Sequence, residues 1–120
     1  QFTVLSLPSF SDSRGMLSVL DEVLPFAIHR VYWIHGADGV TRGGHRHKVT
    51  RQALVAIAGR VDVYMSDGQH DSIVPLDNPS VCLLVEPEDW HTMKFGQGAV
   101  LLVLASHSYD KNDYIDAAYD

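Results

Sequence analysis

The sequence predicts an all-β domain, a double-stranded β-helix of the jelly-roll kind, with a short C-terminal tail or helix. Three observations predict it. Short runs rich in apolar, β-branched and aromatic residues alternate with Gly, Pro, Asn and Asp turn signals along the chain. No heptad, long-period repeat or low-complexity segment interrupts that pattern. Near the middle, spaced glycines frame a His-x-His pair, His45 and His47, whose period of two sets both imidazoles on one face of a strand.

About nine strands are expected, in order. Phe2 to Leu7 opens the chain, and a Pro/Ser/Asp/Gly stretch ending at Gly15 leads into Met16 to Leu20. Phe26 to Ile34 follows Pro25 and is rich in residues that suit a pleated, half-buried surface. Gly36, Gly39, Gly43 and Gly44 mark a loop before the His-x-His strand. Gln52 to Ala58 and Arg60 to Met65 flank Gly59 as a hairpin, and Ser66-Asp-Gly68 signals a second hairpin into Ser72 to Leu76. Asp77-Asn-Pro79 turns into Ser80 to Val85, Pro87-Glu-Asp89 precedes Trp90 to Phe95, and Gly96-Gln-Gly98 precedes Ala99 to Ala105. From Tyr109 to Asp120 a short helix and an extended tail are both open.

Bulk numbers bound the function. The 120 residues fit one domain, residues 1–120, and 46% hydrophobic content supplies an ordinary core. A net charge of -6 without a basic run argues against nucleic acid as partner. It leaves room for an anionic small molecule held by a few placed arginines. The one cysteine, Cys82, sits in an apolar run and reads as a buried thiol, which suits a reducing compartment. No signal-peptide pattern opens the chain, and no apolar run approaches the ~20 residues that span a bilayer, so a membrane partner is not expected.

The stretch from Gly39 to Gly59 carries the chemistry. Glycine, five residues, His45-x-His47, four residues, Gln52, six residues and glycine is the spacing of the first cupin signature, with Gln52 where metal-binding cupins place Glu. A divalent cation favours an anionic oxygen beside two imidazoles, and a neutral amide is a poor substitute. The second signature, P-x-G-x-x-H, reads Pro87-Glu-Asp89-Trp90-His91-Thr92. The ligand position holds Thr92, and His91 comes one residue early, a shift that reverses the face in a regular strand. No resident metal is expected, and the two imidazoles are left to move protons themselves. A pair of merely solvated histidines is the plainer reading. The polar cluster of Arg42, His45, His47 and Gln52 on otherwise apolar strands argues for a binding site instead.

Further blocks sharpen this reading. Asp12-Ser-Arg14-Gly15-x-Leu17, Pro25-Phe26, Arg30-Val-Tyr32, Arg42-Gly-x-His45-x-His47-Lys48, Gln52, Leu76-Asp77-x-Pro79-Ser80, Trp90-His-x-Met93, Val103-Leu-Ala-Ser106 and Tyr109-Asp-x-x-Asp113-Tyr114-Ile115 occur in that order. Together they resemble the WxcM-like nucleotide-sugar 3,4-ketoisomerases of the cupin superfamily. The resemblance implies a single-domain, dimeric, cytoplasmic isomerase that needs no cofactor and acts on dTDP-4-oxo-6-deoxy-D-glucose. It places His45, His47 and Tyr32 in the active site, with the neighbouring Trp33 the other aromatic of that position. Here His47 is expected as general base, His45 as orienting or relaying group and Tyr32 as donor to the oxyanion. Arg14, Arg42, Gln52, Trp90 and His91 are the expected substrate contacts. A non-catalytic sugar-binding module and a cupin epimerase of the same pathways are the alternatives.

Overall fold

Residues 2–119 are described in this computed structural model; Gln1 and Asp120, the ends of the expected domain, lie outside the described residues. Among the described residues twelve strands form: β1 (Val4–Ser6), β2 (Ser9–Asp12), β3 (Gly15–Ser18), β4 (Arg30–His35), β5 (Thr41–His47), β6 (Gln52–Ala58), β7 (Val61–Ser66), β8 (Asp71–Leu76), β9 (Val81–Val85), β10 (Trp90–Phe95), β11 (Val100–Ala105) and β12 (Tyr114–Ile115). A single 3-10 turn, Lys111–Asp113, precedes β12. Strands β1, β9, β6, β11 and β4 make one five-stranded sheet, and β12, β5, β10, β7 and β8 make the other. All pairings are antiparallel.

Alternation along the strands builds the interior. Leu54, Ala56, Val61, Val63, Met65, Leu83, Val85, Met93, Phe95, Leu101 and Val103 interlock between the sheets in one buried cluster. The residues between them face outward. On the first sheet those include Ala53, Val55, Leu84 and Leu104, covered in part by Leu20, Leu24 and Phe26 from the loop before β4.

Three details differ from expectation. β6 and β7 are not a hairpin, because they belong to different sheets, and Gly59 is the corner between them. Gly59 takes φ +67°, and a Cβ there would lie 2.8 Å from Ala99 Cα, so the crossing admits no side chain. The stretch read as a turn before Gly15 contains β2, which pairs with β3 in a hairpin separate from both barrel ladders and held by the hydroxyls of Ser9 and Ser18 to that of Ser80 beside β9. Gly43 and Gly44 lie inside β5 rather than in a loop ahead of it.

Candidate active site

The site sits at one end of the barrel, where inward positions stop being apolar. Arg30 and Tyr32 of β4, Gln52 of β6, Arg42 and His45 of β5, and His91 of β10 line a cavity of about 200 Å³ with Tyr114 of β12. Met93, Leu54, Val103 and Ile34 close its floor.

Arg42 and His45 share that cavity although they are three residues apart, which a regular strand forbids. The pairing of β5 with β10 supplies the reason: His45 lies opposite His91, Gly43 opposite Thr92 and Arg42 opposite Met93, with a bulge that skips Gly44. Gly43 and Gly44 take φ of +91° and +85°, a conformation open to glycine. A Cβ on Gly43 would also sit 2.9 Å from the His91 carbonyl oxygen.

His91 corrects the register expected for the second signature. It is buried together with Met93 and Phe95, while Thr92 is only half-buried, so His91 faces the interior. Its ring lies 5.1 Å from that of His45 and 6.2 Å from that of His47. Three histidines converge: the His-x-His pair and His91, which was expected as a substrate contact but not in register with that pair. Nδ1 of His91 is hydrogen-bonded to the Asp89 carbonyl at 3.0 Å.

His47 lies behind this surface, covered by its neighbours. Its ring is 5.2 Å from His45 and 4.6 Å from Tyr114. Nδ1 donates to Asp113 Oδ2 at 2.9 Å, and Nε2 is buried without a hydrogen-bond partner among the described residues. Asp113 is itself buried and saturated. Its carboxylate accepts from Thr50 Oγ1 at 2.5 Å and from the amides of Val49 and Lys48 at 2.8 and 3.1 Å. Burial works against its charge, but the hydrogen bonds of Thr50, Val49 and His47 prevail and hold the carboxyl at about 2. Asp113 is therefore a fixed anion that keeps the proton of His47 on Nδ1 and leaves Nε2 as the basic lone pair.

Burial pulls the His47 imidazole below its ordinary range, and Asp113 recovers part of that shift. His45 is lowered by burial and by His47. Burial brings His91 down to about 4. All three rings are thus neutral at neutral pH. Tyr32 moves the other way: burial raises its phenol, with Tyr114 adding to the effect. Gln52 Nε2 donates to Tyr32 Oη at 3.2 Å, which leaves the phenol proton free to point into the cavity. Arg30 stacks its guanidinium 4.3 Å above the Tyr32 ring.

The remaining expected contacts lie elsewhere. Arg14 is on the β2–β3 hairpin, with its side chain 87% exposed and paired to Asp12, outside the cavity. Trp90 packs against Tyr64 and donates from Nε1 to the Asp116 carbonyl, also outside the cavity lining. Between the neighbouring aromatics, Tyr32 lines the cavity while Trp33 faces out, 60% exposed. His29, His35, His70 and His107 are exposed, as surface groups should be.

Arg30, Asp113 and Tyr114 were not singled out from the sequence as site residues. The last two arrive on the tail, where Tyr114 pairs with His47 and Ile115 with Arg46. Asp110 caps the preceding turn by accepting from the Asn112 amide, which fixes Asp113 beneath the barrel. The available signal was the Asp113-Tyr114-Ile115 block itself.

Twin antiparallel sheets closed around a histidine-lined mouth define a cupin. The family model described as "FdtA: WxcM-like, C-terminal" matches residues 1–120. A TDP-4-oxo-6-deoxy-alpha-D-glucose-3,4-oxoisomerase from Aneurinibacillus thermoaerophilus is 41% identical over 116 residues, 93% of this chain and 84% of that protein. QdtA, a sugar 3,4-ketoisomerase from Thermoanaerobacterium thermosaccharolyticum solved in complex with TDP, superposes with a TM-score of 0.91 at 37% identity, covering 97% and 88% of the two chains. WlaRB, a TDP-quinovose 3,4-ketoisomerase from Campylobacter jejuni, gives 0.91 at 38% identity over 97% and 92%. The chain belongs to the WxcM-like FdtA family.

Proposed function

We propose that the chain is a TDP-sugar 3,4-ketoisomerase that moves the carbonyl of TDP-4-oxo-6-deoxyglucose from C4 to C3. The observation that carries this reading is the buried His47–Asp113 pair beneath a cavity with a free phenol and two further neutral imidazoles. A cavity of about 200 Å³ is smaller than the ~300–1,000 Å³ of a site that swallows a drug-sized ligand. It suits the sugar ring, with the nucleotide outside the mouth, near Arg42.

The C3 hydrogen is acidic because its loss gives a C3–C4 enediolate in which the former C4 carbonyl oxygen carries the charge. His47 Nε2 takes that proton and becomes imidazolium, stabilised by the anionic Asp113. His47 lies outside the cavity lining, so the neighbouring rings of His45 and Tyr114, 5.2 and 4.6 Å away, shift to admit C3. The Tyr32 hydroxyl donates to the oxyanion growing on O4, with Gln52 fixing its direction. The His47 imidazolium then gives a proton to C4, Tyr32 gives its proton to O4 and recovers one from the C3 hydroxyl, and the carbonyl stands at C3. His45 and His91 flank the ring and orient it. Only protons move, so the residues present suffice.

Support for the substrate comes from the TDP and TDP-4-keto-6-deoxyglucose complexes of the solved relative QdtA. We place the enzyme in the cytoplasm, where nucleotide sugars are made and a lone buried thiol stays reduced, and we assign it a homodimeric state.

Incubation with TDP-4-oxo-6-deoxyglucose in D2O, followed by NMR, tests the reading. The expected result is conversion to a 3-oxo sugar with deuterium at C4. Binding without deuterium incorporation would leave a sugar-binding module. His47→Asn abolishes exchange at C3, whereas His45→Asn slows it.

A further inference from the structure

The site has a second capacity, evident from its nitrogen atoms alone. One ligand-capable nitrogen from each of His45, His47 and His91 lies within 4.8 Å of the other two. Three atoms so placed share a central point at most about 2.8 Å from each (the longest side divided by √3), against ~2.0–2.1 Å for a Zn–N bond. Closing the gap takes about 0.7 Å per ring, within the reach of small side-chain rotations.

Two of the rings are already held as metal-binding histidines are. Nδ1 of His47 donates to a carboxylate and Nδ1 of His91 is bonded to a backbone carbonyl, the outer contacts that aim Nε2 at a cation. His47 Nε2 is buried and without a partner among the described residues, the state of a ligand atom awaiting its ion. Three neutral imidazoles without a carboxylate select a borderline transition cation over Mg²⁺ or Ca²⁺, which require oxygen ligands. His45 and His91 line the cavity, the side from which a three-histidine zinc site would take its fourth ligand.

We propose that His45, His47 and His91 form a reversible inhibitory site for a divalent transition cation such as Zn²⁺. The ion takes the Nε2 lone pair that abstracts the C3 proton and holds together His45 and His91, the rings that flank the sugar. No bond of the substrate is touched and no electron is transferred; the base is simply occupied. The inhibition rests on the ketoisomerase reading, while the binding does not.

The test uses the intact chain, freed of metal by a chelator and titrated with Co²⁺ and then Zn²⁺. One Co²⁺ per chain should bind with visible absorption of a low-coordinate nitrogen set, and Zn²⁺, but not Mg²⁺, should displace it. His91→Gln and the half-exposed His45→Gln should each weaken binding at least 10-fold, with thermal melts showing that both fold. Asp113→Asn should weaken it by about 10–100-fold. One equivalent of Zn²⁺ should stop deuterium exchange, and EDTA should restore it. Failure to take up Co²⁺, or uptake indifferent to both histidine substitutions, overturns the site and leaves the isomerase intact. Bound Zn²⁺ with exchange unchanged overturns the inhibition. A chelated protein that is inactive until Zn²⁺ is added overturns both the inhibition and the metal-free proton transfer.

Discussion

Asp113 does its work through His47, and its charge is the means. An asparagine there preserves the shape but offers an amide that can donate to Nδ1, which drives the imidazole proton onto Nε2. The analogous carboxylate-to-amide change in a Ser-His-Asp triad lowers kcat by about 10⁴. Asp113→Asn should accordingly lower kcat by roughly 10²–10⁴-fold with little change in KM; a proportionate rise in KM would assign Asp113 to substrate binding instead. The neighbouring pair His91 and Asp89 bears on stability. His91 is held at about 4 by burial, against ~6.5 when unfolded. As the pH falls between those values the unfolded chain gains a proton that the folded chain refuses, so stability is lost. Asp89 is raised by burial from 3.8 to about 6. Over nearly the same window the folded chain gains the proton, so stability rises as the pH falls. The two effects largely cancel. Asp89→Asn keeps an acceptor for the Glu86 amide, which now bonds Oδ2 at 2.9 Å, but removes the compensation. Urea denaturation with chelator present should show the variant losing about 3 kcal/mol more than the parent between pH 7 and pH 4. Equal losses would contradict the compensation.

Strand β5 shows how one element decides which residues can cooperate. Its bulge turns Arg42 and His45 into one cavity and sets His45 opposite His91. Alanine at Gly43 meets both the β10 backbone and an unfavourable positive φ, so Gly43→Ala should destabilise by about 1–3 kcal/mol and cut kcat/KM by more than 10-fold. An active variant with the parent's melting temperature would mean that the bulge is dispensable. The same bulge explains what was legible beforehand. Gln52 came from the spacing of the first cupin signature and Tyr32 from the family resemblance, which left it open against Trp33. The shared face of the His-x-His pair follows from period-two alternation, which the sequence displays directly. The inward face of His91 does not, because alternation counted from the second cupin signature fixes parity only in an unbroken register. Asp113 and Tyr114 were visible only as a block of the family resemblance, not from periodicity. A 3-10 turn and a two-residue strand have no periodicity to read, and their place is set by pairing with β5 some 66 residues earlier in the chain. Gly59 was rightly placed between two strands but wrongly read as a hairpin turn. Whether the strands on either side pair or part into two sheets depends on β9 and β11, which compete for the edges of β6.

The whole molecule carries more apolar surface than its own barrel buries. β4 ends its sheet with no hydrogen-bonded neighbour on the outer side among the described residues, and Val31 and Trp33 face out from it. The β2–β3 hairpin adds Phe10, Met16 and Leu17, all exposed. An unprotected edge strand with an exposed tryptophan is a place for another chain to pair or pack. The proposed homodimer would supply that chain and a cover for the three large apolar side chains of the hairpin. Trp33 projects away from the cavity, so a charge there strikes assembly rather than the imidazoles. Sedimentation should find the parent protein dimeric at micromolar concentration. Trp33→Glu should weaken association by about 30-fold or more, the effect of removing an aromatic anchor worth ≥ 2 kcal/mol. Circular dichroism should show the strand content unchanged, which separates loss of assembly from loss of fold. A parent protein that sediments as a monomer across that range would reject the dimer, and a variant as dimeric as the parent would move the interface away from β4.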